Sequence, residues 1–420
     1  MPTDRVVAAH LIAPPRLVVL VCAAQILVQI GAFFWPALLP EMVGRWSLSN
    51  TEAGWITSAF YAAYMVSVPV LVTLTDRVDA KRVYLFGVGC TVAGHLLFGL
   101  AAQGFWSALA LRALAGMGWA GTYMTGLKLL ADQVDARLMS RAVTGHAASI
   151  GISGAISFVL GDLIASGFGW QAAFLFASAT ASIAWLGVAF AVSPRKPMYG
   201  AGDGAIKEGA VFDFRPVIAN RSAMAYALAY CVHTLEMNVL RGWGVAFLAW
   251  VAVRTGAADA ILSPTVIVTM LGLIGTLASV AGNEASIRFG RRRLVAGAMG
   301  LSIALAVVLA SVGAVSYLLA VGLLLVYGAA VWLDSSSLTA GAAGTADPAR
   351  RGATLAVHSM LGYAGGFVGP LAVGWVLDLS GGMSPLGWGL AFGLVATLMT
   401  LAVATFISIR PRELAGDRHA

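Results

Sequence analysis

Five polar side chains fall within twelve residues of an otherwise apolar run: Tyr230, His233, Glu236, Asn238 and Arg241. His233 and Glu236 are three apart, so on a helix they share a face, whereas Arg241, five beyond Glu236, points elsewhere. Ionisable groups at membrane depth are expensive and are functional candidates by default. Glu236 is therefore a candidate proton carrier, tuned by His233 or an arginine. Arg112 and Arg241 offer positive charge to an anionic substrate, and Asp334, followed by Ser335-Ser336-Ser337, adds a second carboxylate. The competing structural reading pairs Glu236 and Asp334 with the two arginines as static salt bridges. Tyr123, with Gln25, Gln29, Phe33, Trp35, Tyr61, Tyr64 and Trp119, is a candidate for the wall of a cavity.

These residues need an apolar frame, and the composition supplies one. Of 420 residues, 59% are apolar and only 11% charged, with a mean hydropathy of +0.85; soluble domains run near 25% charged. The long unbroken apolar runs point to membrane helices rather than to the alternating pattern of a membrane barrel. Cutting at charged clusters and turns predicts twelve spans, at 17–39, 53–74, 83–102, 105–127, 139–163, 170–193, 222–250, 264–286, 294–313, 315–340, 352–377 and 387–409. The first run is too long for a cleavable signal and reads as a retained span. The net charge of +7 does not call for nucleic acid, because most Lys and Arg fall on one side of this array. By the positive-inside rule that side, with both termini, is cytoplasmic. Cys22, Cys90 and Cys231 lie inside apolar runs without ligand or disulfide spacing.

The chain also repeats. Asp76-Arg77-Val78-Asp79-Ala80-Lys81-Arg82 after span 2 is echoed by Ile287-Arg288-Phe289-Gly290-Arg291-Arg292-Arg293 after span 8. Gly169-Trp170 opens span 6 as Gly387-Trp388 opens span 12, and Gly151 and Gly154 in span 5 match Gly366 and Gly369 in span 11. The predicted organisation is an N-terminal six-helix bundle over 1–193, a cytoplasmic linker over 194–221 and a C-terminal six-helix bundle over 222–420. Paired repeats with a site between them are a transporter architecture.

In these residues the chain resembles the major facilitator superfamily over essentially its whole length. Asp76 to Arg82 is similar to that family's loop between helices 2 and 3, although Val72 and Asp79 replace its two glycines; Arg112-x-x-x-Gly116-x-Gly118 is similar to a second family pattern. The resemblance implies an all-α polytopic fold of twelve transmembrane helices in two pseudo-symmetric bundles that rock about a central cavity. Asp76, Arg77 and Arg288 are then candidates for a conformational latch, since a carboxylate at a helix end accepts backbone donors from a neighbouring helix and releases them on reorientation. Lys81, Arg82 and Arg291 to Arg293 read as orientation determinants. The run Gly121 to Lys128 resembles the nitrate/nitrite branch, but spans 2 and 8 lack that branch's arginines.

The expected function is secondary active transport of a small anionic organic solute, coupled to protons, by a monomer in the cytoplasmic (inner) membrane. Proton-driven efflux of amphipathic compounds is the first alternative. Copper or another soft metal at His233, Met237, His358 and Met360 is a lower one. Gly151-Ile152-Ser153-Gly154 imitates an intramembrane serine protease, with His95 and His146 the available bases; a non-transporting sensor is the remaining class. No cofactor, enzyme activity or resident metal is expected, and no phosphate-binding Gly-Lys-Ser/Thr loop occurs.

Overall fold

The computed structural model describes residues 13–75, 77–195, 214–257, 262–414 and 417, all of whose regular structure is helical. The first six expected spans become α1 (Pro14–Gln29), α2 (Phe34–Ala37) and α3 (Leu39–Trp46); α4 (Asn50–Leu74); α5 (Ala80–Ala101); α6 (Phe105–Ala120) and α7 (Tyr123–Ala131); α8 (Ala136–Phe168); and α9 (Trp170–Ala191). After the short α10 (Arg215–Ala219) come α11 (Arg221–Arg254), α12 (Pro264–Phe289), α13 (Arg291–Val312), α14 (Tyr317–Trp332) with α15 (Ser335–Thr345), α16 (Arg351–Leu379) and α17 (Pro385–Ile409). Among the described residues nine stretches are long and apolar enough to cross a membrane, Tyr317–Thr345 counting as one. The other three expected spans are the interrupted spans 1 and 4 and the polar α11. Most of the interval 194–221 lies outside the described residues, as does Asp76.

Span 1 is not the unbroken helix that its hydropathy predicts. Pro36 has no N–H to give the carbonyl of Ala32 four residues back, and its ring crowds that carbonyl. The helix stops at Gln29 and resumes at Phe34. Two side chains satisfy the freed backbone: Arg112 donates Nη1 to the Ala32 carbonyl at 3.2 Å, and Ser157 Oγ accepts from Phe33 N at 3.0 Å. Span 10 breaks as well, at Leu333-Asp334, where the Leu333 carbonyl occupies the space that a Cβ on Gly282 of α12 would need.

Elsewhere the helix starts follow from short polar caps. Ser49 and Glu52 form a reciprocal capping box on α4, and Ser263, Ser316 and Ser384 cap α12, α14 and α17. Asp79 caps α5 through Lys81 N and also accepts from Arg195 N at 3.2 Å.

One face of the bundle collects the helix ends rich in Lys and Arg. Lys81 donates Nζ to the carbonyls of Ala189 and Val192, both at 2.7 Å. In the second half Gly290 offers no side chain to cap α13, and the segment after α17 supplies one. Glu413 accepts from Arg291 N at 2.9 Å and Arg292 N at 3.1 Å. Asp417 pairs with the buried Arg291 guanidinium at 3.0 Å. Arg291 is thus a packed tie between elements and not merely an orientation charge.

The two halves meet most extensively along two helix pairs, α4 with α16 and α8 with α12, and α11 also touches α2 and α3. Small residues permit the approach: a Cβ on Gly54 would lie 2.8 Å from the Pro370 carbonyl, and one on Gly272 3.0 Å from the Ala155 methyl.

Candidate functional site

The polar residues of α11 divide between two environments. His233 and Glu236 face the interior of the second half. His233 Nδ1 lies 2.8 Å from Asp334 Oδ1, both groups buried, so the break in span 10 presents Asp334 to α11. Tyr327 of α14 donates its hydroxyl to Glu236 Oε1 at 2.6 Å, while Glu236 Oε2, Asp334 Oδ1 and both ring nitrogens of His233 are buried without a hydrogen bond of good geometry. His358 of α16 stacks on Tyr230 with ring centroids 4.0 Å apart and meets Thr339 Oγ1 at 3.1 Å. Asn238 donates Nδ2 to the Thr234 carbonyl at 2.8 Å and leaves Oδ1 unpaired.

Arg241 lies at the boundary between the halves. Five residues turn a helix by about 500°, or roughly 140° from Glu236. Its guanidinium sits 5.2 Å from the ring centroids of both Phe33, at the break of span 1, and Trp332, at the end of α14. It is only partly buried, and among the described residues no carboxylate pairs with it. Arg112 is different: it is 2% exposed, bonded to Ala32 and stacked 4.5 Å from the centroid of Phe60. The expected pairing of the two arginines with Glu236 and Asp334 is therefore not what forms. The carboxylates take a phenol and an imidazole, and the arginines take a carbonyl and aromatic rings.

Aromatic residues close the space beside Arg241. Tyr64 of α4 stacks on Tyr363 of α16 with centroids 3.6 Å apart, and Tyr61 and Trp119 border the same ring. Tyr123 stacks on His146 at 5.9 Å. Gln25 and Trp35 are packed in the core, Gln25 bonding Gln29 at 3.1 Å and Trp35 donating to Thr57 Oγ1 at 3.0 Å, whereas Gln29 and Trp119 border a small internal cavity. Trp332, Tyr327 and Tyr363 were not marked by the sequence, because an aromatic residue in an apolar run reads as ordinary packing.

Arg77 is exposed, Arg288 makes a surface pair with Glu284 at 2.9 Å, and Asp76 lies outside the described residues. Ser153 is buried and donates to the Ile150 carbonyl at 3.3 Å, a helix-internal bond rather than a contact with a base. Among the described residues no three of His, Cys, Asp and Glu come together as a metal site requires.

Residues 21–279 match the family model described as Major Facilitator Superfamily. The chain belongs to the Major Facilitator Superfamily. That membership accounts for the pairing of α4 with α16 and α8 with α12 across two halves. Curated relatives include an uncharacterized MFS-type transporter, YbcL, of Bacillus subtilis (strain 168), 26% identical over 35% of this chain and 38% of that protein. Another is Protein spinster of Drosophila melanogaster, 23% identical over 55% of this chain and 38% of that protein. The chain thus spans about two fifths of the length of these relatives. Among solved structures, a bacterial homolog to the human lysosomal transporter Spinster, inward-facing and unoccupied, superposes with a TM-score of 0.78 at 14% identity, covering 95% of this chain and 97% of that one. The nucleoside transporter NupG superposes with a TM-score of 0.70 at 14% identity, covering 95% and 99%. At these identities the likeness is one of fold. In this chain Arg241 touches Phe33 of the first half and Trp332 of the second, while the His233–Asp334 contact lies within the second.

Proposed function

We propose that the chain is a secondary transporter that moves a small organic anion by alternating access and couples the movement to protons. The observation that carries this reading is Arg241: a guanidinium with no carboxylate partner among the described residues, held between Phe33 of one half and Trp332 of the other. Such a group offers a bidentate donor fork to an anion, and a solute bound there touches both halves. Glu236 is the proton carrier, since the carboxylate is buried and one of its oxygens accepts from the Tyr327 phenol. The basic face is cytoplasmic by the positive-inside rule, which puts both termini inside a cytoplasmic (inner) membrane. Residues 1–193 and 222–420 form the two moving bundles, joined by 194–221, in a monomer.

The test is uptake of labelled organic anions into proteoliposomes under an imposed pH gradient. Wild type accumulates solute, whereas Glu236→Gln exchanges solute across the membrane without accumulating it. Full pH-driven accumulation by Glu236→Gln sinks the proton role, and failure of every anion tested sinks the anionic substrate. The aromatic wall of Tyr61, Tyr64, Trp119 and Tyr363 supports a second reading, efflux of an amphipathic compound. Dye extrusion that depends on Tyr64 and not on Arg241 favours it.

A further inference from the structure

The face opposite the basic one carries two carboxylates that cross between the halves in the same register. Asp378, at the end of α16 in the second half, accepts from the first turn of α4 in the first half. Its Oδ1 takes Asn50 N at 3.0 Å and Asn50 Nδ2 at 2.8 Å, and its Oδ2 takes Thr51 N at 2.7 Å. Asp162, near the end of α8 in the first half, reaches the first turn of α12 in the second half, where Thr265 donates its hydroxyl to Oδ2 at 2.6 Å. Thr51 stands two residues after the cap Ser49, and Thr265 two residues after the cap Ser263. The two contacts are thus equivalent under the repeat, each half supplying one carboxylate and one helix start.

The chemistry differs at one point, and the sequence explains it. The first N–H groups of a helix have no internal acceptor and carry partial positive charge. Asn50 and Thr51 offer theirs directly to Asp378. In α12 the first residue is Pro264, which has no N–H, so the hydroxyl of Thr265 takes over. Val159 N reinforces that side by donating to Thr269 Oγ1 at 3.2 Å.

We propose that Asp162 and Asp378 are paired gate residues that hold the face opposite the basic one closed during the transport cycle, and that both contacts separate when this face opens. This rests on the alternating-access reading but not on any solute.

The test is a distance between spin labels on Arg45→Cys, in α3, and Leu386→Cys, in α17, with Cys22, Cys90 and Cys231 replaced by serine. In the parent protein the short distance dominates. Asp162→Asn with Asp378→Asn raises the long-distance population about tenfold, the scale of losing charge-assisted hydrogen bonds. Asn50→Ala with Thr265→Val removes the two side-chain donors, leaves both carboxylates and the backbone donors of α4, and shifts the same population in the same direction by a smaller amount. An unchanged distribution in both variants, at unchanged thermal midpoint, overturns the proposal. A shifted distribution in a protein that transports no organic anion keeps the gate and discards only the substrate reading.

Discussion

His233 and Asp334 meet inside the second half at 2.8 Å, from a continuous helix on one side and a helix break on the other. The break explains why Asp334 is available. At the start of α15 its side chain makes no capping bond to its own helix, so it turns to the imidazole.

Asp334→Ala removes the carboxylate that faces the buried imidazole at 2.8 Å, and losing one member of a buried polar pair costs roughly 1–3 kcal/mol. The expected result is a lower thermal midpoint in detergent, with Asp334→Asn, which keeps a carbonyl oxygen, close to the parent. If Asp334→Ala melts with the parent, the contact stabilises nothing.

Arg241 and Arg112 respond differently to the same change. Lysine keeps the charge but loses the planar fork and the stacking surface, so Arg241→Lys weakens solute binding about tenfold while the protein melts normally. Arg112→Lys lowers the melting point and leaves the affinity of the folded protein unchanged. Binding isotherms and melts on both variants decide the assignment; a solute affinity that follows Arg112 and ignores Arg241 reverses it.

Pro36 and Arg112 are coupled through one carbonyl. Arg112→Leu removes the donor that serves Ala32 and costs roughly 1–3 kcal/mol. In Pro36→Ala the new N–H is free to bond that carbonyl, so the same Arg112→Leu change costs less. A double-mutant cycle should show a coupling of roughly 0.5–3 kcal/mol. Additive effects mean that the proline is not the reason for the arginine.

Apolar runs separated by charge made the helical architecture and its two-fold repeat readable in the sequence, because burial in lipid acts on every residue of a span. The polar short list was readable too, since an ionisable residue inside such a run stands out. What it pairs with was not. Asp334 meets His233 rather than an arginine because span 10 breaks against Gly282, and no local pattern announces a contact between remote helices. The break of span 1 had a visible signal in Pro36, but a proline lowers hydropathy very little, and hydropathy set the span limits. Asp162 and Asp378 sit at helix ends, where a charge is commonplace; only the partner half gives them a role.

The segment after α17 carries a consequence for how the molecule is made. Arg291 precedes its partners Glu413 and Asp417 by 122 and 126 residues. At about 5–20 residues per second of synthesis, the guanidinium waits roughly 6–25 s for its counter-charge. Throughout that interval the start of α13 has neither its cap nor its ion pair, so the second half is closed only once the segment after α17 has been made.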